Sequence, residues 1–167
     1  QGAYVPDDVT IKMISDWIGD PNRTEGFVLD GFPRTLAQAE ALDRVLSDTG
    51  GVDVALYIDV REDELTRRLT SRVTCQVCQT PYHLESSPPR VKGECDSCGG
   101  QLYQREDDQP AVVKKRIRVY HTETTPVVEY FRKSGRLKEI DGNRSIEEVR
   151  GELVATVCKQ PAGRRPI

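Results

Sequence analysis

Two cysteine pairs, Cys75-x2-Cys78 and Cys95-x2-Cys98, separated by sixteen residues, constrain the middle of this chain more than any other feature. The spacing falls within the range of four-thiolate zinc sites. Each C-x-x-C turn aims two sulfurs at one tetrahedral ion, and two such turns close its shell. Gly99 follows the second pair, where a flexible backbone lets amides approach sulfur. The competing arrangement is two disulfides, which needs an oxidising compartment that nothing else in the sequence supports. Metal is therefore favoured. Four thiolates leave no open coordination position, so Cys75, Cys78, Cys95 and Cys98 predict a structural Zn2+ that staples a segment with little apolar core. The fifth cysteine, Cys158, reads as a small buried or half-buried residue.

Around that segment the hydrophobic pattern alternates between helix and strand. Val5-Pro6-Asp7-Asp8 suits a helix start, with proline and two acids at the positive end. Val9, Met13, Ile14, Trp17 and Ile18 then share one face, and Gly19-Asp20-Pro21-Asn22 ends it. Gly26 to Asp30 reads as a short buried strand. Gly31-Phe32-Pro33-Arg34 turns into a helix with Leu36, Ala39, Leu42, Val45 and Leu46 on its apolar face. Val54 to Val60 is the clearest strand, apolar enough for burial on both faces. Glu62 to Ser71 is helical, and residues 72–104 change character. The helical period returns from Pro110 to Lys133, where Pro126 should kink or divide it. Leu137 to Asp141 fits a further strand. Ser145 and Glu148 have capping-box spacing ahead of an Ile146, Val149, Leu153, Val157 stripe. Residues 160–167 read as a mobile tail. Helices between strands argue for α/β architecture with a parallel sheet, and the cysteine segment interrupts it as an insertion.

The 167 residues carry 24 basic and 27 acidic side chains, a formal net charge of −3. That balance gives no whole-chain case for nucleic acid or an anionic membrane. The longest apolar run, Val54 to Ile58, is far too short to span a bilayer. A local cluster of arginines is a different matter. Arg34, Arg68, Arg72, Arg105 and Arg116 lie at element ends or beside the cysteine segment, with Arg68 and Arg72 on one helical face. A guanidinium offers phosphate oxygens a planar fork, and several together offset the charge of a transferring phosphoryl group. Any one of them alone reads more readily as a solvated surface arginine.

The run Gly26-Phe27-Val28-Leu29-Asp30-Gly31-Phe32-Pro33-Arg34-Thr35 resembles the signature of adenylate kinases. The resemblance continues through Gln38, the four-cysteine lid with Tyr82-His83 and Pro88-Pro89, and Arg105-Glu106-Asp107-Asp108. It runs on through Tyr120-His121 with Pro126 to Asp141-Gly142, covering about residues 2–157. It implies the P-loop nucleoside monophosphate kinase fold, α/β with a parallel sheet flanked by helices and an inserted zinc-binding lid. It also implies the reaction ATP + AMP ⇌ 2 ADP, with Mg2+ accompanying ATP. The implied division is 1–25 as the remainder of an AMP-binding segment, 26–72 and 105–159 as core, 73–104 as lid and 160–167 as tail. By position Arg34 would hold the AMP phosphate and Gln38 the adenine, with Ala3, Tyr4, Val5 and Gly31 beside AMP. Asp30 would order the magnesium water shell. Arg68 and Arg72 would lie against ATP, and Arg105 and Arg116, also among the AMP-binding residues, would clamp phosphates, with Asp107 and Asp108 at the lid hinge. Arg34, Arg72, Arg105, Arg116 and Asp30 would form the catalytic set. Asn143 and Arg144 would meet the ATP base. The resemblance further implies a monomer, and with the thiol usage a cytoplasmic one.

The sequence departs from the family's pattern in one large respect. The glycine-rich loop with its lysine, G-x-x-G-x-G-K, has no counterpart; Gly50-Gly51 and Gly99-Gly100 lack the spacing and the lysine. The chain begins at Gln1 and its only methionine, Met13, lies inside a helical pattern, which reads as a fragment or processed chain with the N-terminal part missing. The family's central strand would lie between 26–30 and 54–60. Other readings are a kinase for a different nucleoside monophosphate, or a non-catalytic zinc-binding fragment. The first is disfavoured by Gln38, whose amide both donates and accepts toward an adenine edge. The second is disfavoured by a cysteine segment with only Tyr82 and Tyr103 as aromatic platforms. This chain alone is expected to be weakly active and poorly stable; normal turnover together with one cooperative melt of purified 1–167 would refute that.

Overall fold

The computed structural model describes residues 4–22 and 26–158. Ala3 and the 160–167 tail, both singled out above, lie outside the described residues. Two compact units emerge: Val60–Arg118, and Tyr4–Asp59 with residues 119–158.

The second unit is built on a parallel strand pair. Strand β1 (Ala55–Asp59) pairs in register with β5 (Leu137–Asp141), so that Ala55 faces Leu137 and Ile58 faces Ile140. Helices α1 (Asp7–Ile18), α2 (Leu36–Val45), α5 (Thr125–Lys133) and α6 (Ile146–Cys158) accompany it. Ala39 of α2 packs with Val127 and Phe131 of α5 over Val52, Ala55 and Leu137, which forms the core. Local signals set the boundaries. The Thr35 hydroxyl caps α2 by accepting from Gln38 N at 3.3 Å. Ser145 and Glu148 close the expected box, Ser145 N donating to the Glu148 carboxylate at 3.0 Å and Glu148 N to Ser145 Oγ at 3.3 Å. Pro126 divides the long helical segment, so that one residue, Thr124, separates α4 (Pro110–Glu123) from α5.

Three expectations fail here for related reasons. Gly26 to Asp30 forms no strand, and Val28 is 81% exposed. A strand needs a hydrogen-bonding neighbour, and among the described residues β1 and β5 pair only with each other. For the same reason β1 is not buried on both faces, and Ile58 remains largely exposed. Cys158 is exposed, as are Ile146 and Val157 of its stripe, because α6 lies along β5 with no residue of the helix fully buried and only Val149 and Leu153 of the stripe half-buried. On α1, Val9 and Met13 likewise stay exposed, while Trp17 packs edge-on against Phe27 with ring centroids 5.3 Å apart.

The first unit holds α3 (Glu62–Thr70), the start of α4, and a three-stranded antiparallel ribbon. Its strands are β2 (Arg72–Cys75), β3 (Pro81–His83) and β4 (Leu102–Tyr103), in the order β3-β2-β4. The ribbon's small core is Cys75, Tyr82 and Cys95, flanked by Val73 and Leu102.

One ion pair ties α2 to the loop before β5. Arg136 donates to both oxygens of Asp43 at 2.6 Å, and the Tyr130 hydroxyl adds a bond at 2.5 Å. The Arg136 bond holds the Asp43 carboxyl below its ordinary 3.8, against the opposing effect of partial burial. A carboxyl lowered on folding contributes stability that is complete above its unfolded value and lost as pH falls through the folded one. Asp43→Asn should therefore lower unfolding stability at pH 7 by about 1–2 kcal/mol. The gap to the parent should close below about pH 4, the carboxylate range, as followed by Trp17 fluorescence in urea.

Candidate active site and metal centre

The four predicted thiols converge. Their sulfurs all lie within 4.8 Å of one another, with Cys75 and Cys95 buried and Cys78 and Cys98 exposed. Sγ of Cys98 is 3.5 Å from Cys75 and 3.4 Å from Cys78, and Cys78 is 3.5 Å from Cys95. These separations exceed a disulfide's roughly 2.05 Å and approach the roughly 3.8 Å edge of a tetrahedron of thiolates around zinc. The site can hold a metal ion.

Two further observations fit a charged sulfur shell. The Val77 and Cys78 amides point at Cys75 Sγ from 3.4 and 3.5 Å. The Tyr82 hydroxyl accepts from Asp96 N at 2.7 Å, which directs its own proton to Cys95 Sγ at 3.4 Å. That hydroxyl lowers Cys95 to about 6. At Cys98 the Gly100 amide pulls the other way, yet the neighbouring Cys78 and Cys75 thiols and desolvation push it up to about 12. Four adjacent sulfurs cannot all ionise unaided, and a bound cation removes that conflict.

Gly99, the expected pivot, has φ +70°, but the tighter position is Gly100. A Cβ there would lie 2.9 Å from Cys75 Sγ and 2.8 Å from Val77 Cγ2.

The same unit gathers three of the predicted arginines around two acids. Asp108 has no solvent exposure and receives both arms of the Arg72 fork, Nε donating to Oδ2 at 2.9 Å and Nη2 to Oδ1. Arg116 Nη1 lies 3.5 Å from Asp108 and 3.6 Å from Asp107, and donates to the Asp107 carbonyl at 3.0 Å. Arg105 binds the Asp107 carboxylate at 3.0 Å. Arg68 instead donates to Glu64 at 2.6 Å, and Glu64 is held near 2 by Arg67 and Arg68.

The other unit contains the remaining candidates. Gly31, at φ +72°, presents its carbonyl to Arg34 Nε at 2.6 Å, and a Cβ at Gly31 would meet the guanidinium at 2.8 Å. The Arg34 guanidinium lies over the Tyr4 ring, 5.3 Å from its centroid. Thr124 Oγ1 donates to the Arg34 carbonyl at 2.8 Å, so the Tyr4 hydroxyl, 3.1 Å away, donates to Thr124. Gln38 is buried, its amide bonded to Arg34 N and Asp7. Asp30 and Val5 are exposed. Asn143 folds onto Asp141, with N and Nδ2 donating to Oδ1 at 2.9 and 2.8 Å, and Arg144 Nε donates to the Asp141 carbonyl at 3.2 Å. Sequence reasoning missed Asp7 and Thr124 as partners of these groups. Tyr82 was noted within the lid pattern, but not as a thiolate donor.

Guanidiniums pre-positioned by acids and carbonyls suit phosphoryl transfer, which asks for placement and charge stabilisation more than for a nucleophile. The class is that of nucleoside monophosphate kinases, and comparison with known proteins narrows it. A family model described as adenylate kinase matches residues 1–136. Adenylate kinase of Carboxydothermus hydrogenoformans is 48% identical over 150 residues, covering 89% of this chain and 70% of that protein. Those of Methanocella arvoryzae and Archaeoglobus fulgidus are 46% and 44% identical over 160 residues, covering 95% of this chain and 74% of each. The chain belongs to the adenylate kinase family, whose members are phosphotransferases. No helix among the described residues is long and apolar enough to cross a membrane.

Gly100→Ala should weaken binding of a thiophilic divalent ion at least tenfold, because Cys75 must move to admit the methyl group. Cobalt titration, read by thiolate charge-transfer absorption, checks this; an unchanged affinity would count against the tetrathiolate geometry.

Proposed function

We propose that this chain carries the AMP-recognising and phosphate-clamping residues of an adenylate kinase, with the reaction ATP + AMP ⇌ 2 ADP. Arg34 holds the AMP phosphate, Gln38 reads its base, and Ala3, Tyr4, Val5 and Gly31 line that nucleotide. Arg68 and Arg72 lie against ATP, Asn143 and Arg144 meet its base, and Arg105 and Arg116 neutralise the phosphates during transfer. The cluster of Arg72, Arg105 and Arg116 around Asp107 and Asp108 carries this reading. Three cations on two carboxylates leave a net positive patch whose geometry exists before substrate arrives, so little ordering is left to do at the transition state.

Two ions belong to the proposal. The tetrathiolate shell suits structural Zn2+, held by Cys75, Cys78, Cys95 and Cys98 and closed to catalysis. Mg2+ enters with ATP and spreads its phosphate charge; it keeps most of its waters, and Asp30, an exposed carboxylate, suits a hydrogen bond to them. The thiol set also fits a reducing, cytoplasmic setting, and the enzyme is proposed to act as a monomer.

Arg34→Ala should weaken AMP binding at least tenfold while leaving adenosine binding unchanged, since the lost fork meets only the phosphate. Titration calorimetry with both ligands checks it. Equal loss for AMP and adenosine would remove Arg34 from the phosphate role.

A further inference from the structure

We infer that Asp7 is a positioning residue that sets base specificity by preventing the Gln38 side-chain amide from turning over. The inference rests on the reading that Gln38 meets the base of AMP.

A glutamine amide is nearly symmetric in shape but opposite in hydrogen bonding at its two ends. Which end points where decides which base it accepts. Here two neighbours leave one answer. Asp7, the first residue of α1, is an acceptor-only carboxylate and takes Gln38 Nε2 at 2.7 Å on Oδ1. The Arg34 backbone N–H is donor-only and gives to Gln38 Oε1 at 2.8 Å. Turning the amide would set donor against donor and acceptor against acceptor. The carboxylate is itself oriented, because Oδ2 receives the Thr35 hydroxyl at 2.8 Å, and that hydroxyl accepts from Gln38 N at 3.3 Å. Gln38 is 2% exposed, so this amide is a fixed part of the fold and not a solvated arm.

One N–H and one lone pair of the amide remain, in a fixed order. A 6-aminopurine presents an acceptor at N1 beside a donor at N6. A 6-oxopurine presents the reverse, a donor at N1 beside an acceptor at O6. An amide that cannot turn matches only one of these, and rejection of the other leaves buried polar groups unpaired. Asp7 thus acts on the base without touching it. As a first-turn acid Asp7 also suits the α1 dipole, a role that is indifferent to which purine binds.

Asp7→Asn separates the two roles. The Thr35 hydroxyl would bond the new side-chain oxygen, turning the new NH2 toward Gln38 and favouring the reversed amide against the Arg34 N–H. Titration calorimetry of the 167-residue chain with AMP, IMP and adenosine is the test. The parent should prefer AMP to IMP, and D7N should cut that preference at least tenfold while the preference for AMP over adenosine is kept. An unchanged AMP-to-IMP ratio overturns the inference, as does a D7N chain in which both preferences fall together. Absence of AMP binding by the parent overturns the nucleotide reading beneath it. Should D7N not fold, NMR of the parent decides: one Gln38 Nε2 proton should be shifted downfield and protected from exchange. Two protons exchanging at free-amide rates overturn the inference.

Discussion

A carboxylate with no contact with solvent has to be paired, and Asp108 is such a group. Its partner Arg72 opens β2, while Asp108 itself sits in the 3-10 turn Glu106–Asp108, just before α4. The thirty-odd residues between them form the cysteine ribbon, so this one pair closes the ribbon at its base. Gln104 reinforces the closure by donating to the carbonyls of Thr70 and Asp108 at 2.8 and 3.2 Å. At the other end the closure is made by sulfur. Between those two clamps the apolar core is no more than Cys75, Tyr82, Cys95 and two flanking aliphatics, too little to hold a three-stranded ribbon by burial alone. An ion pair and a thiol cluster able to hold a metal ion stand here where hydrophobic area stands in the other unit.

That division explains why Asp108 and Arg116 matter together. Removing one member of a desolvated ion pair leaves an uncompensated charge, which is more damaging than never having had the pair. The cluster is therefore stable only as a set, and its arginines are held where carboxylates hold them. Preorganisation of this kind comes from folding, not from substrate.

What was legible in the sequence was local. Ser145 and Glu148 are three residues apart, and Pro126 acts on its own helix, so their consequences could be read directly. The cysteine spacing was legible because each C-x-x-C turn is local and only the meeting of two turns is not. The segment 26–30 was misread because strand formation depends on a neighbour that composition does not reveal. Asp7 and Gln38 are 31 positions apart, and Tyr4 and Thr124 are 120 apart; no periodicity links them. Gly99 was singled out ahead of Gly100 because spacing shows which residue follows a cysteine, not which one faces the sulfur of the other pair. Family likeness suggested the role proposed for Arg34 but not the groups that hold it.

Arg34 is held differently from the other arginines, and the difference bears on what each can do. The Gly31 carbonyl and the Tyr4 ring fix its guanidinium, and both are neutral. Neutral partners orient the fork without cancelling its charge, so a single phosphate group placed there would meet the whole of it. Arg72, Arg105 and Arg116 give up part of their field to Asp107 and Asp108 in exchange for fixed geometry. Three such groups suffice for a polyphosphate, where total charge is spread over many oxygens and placement decides the outcome. One unshielded arginine suits a monophosphate, where a single group must supply both charge and direction. The two ways of holding a guanidinium therefore agree with the proposal that Arg34 meets the monophosphate and the clustered arginines the polyphosphate.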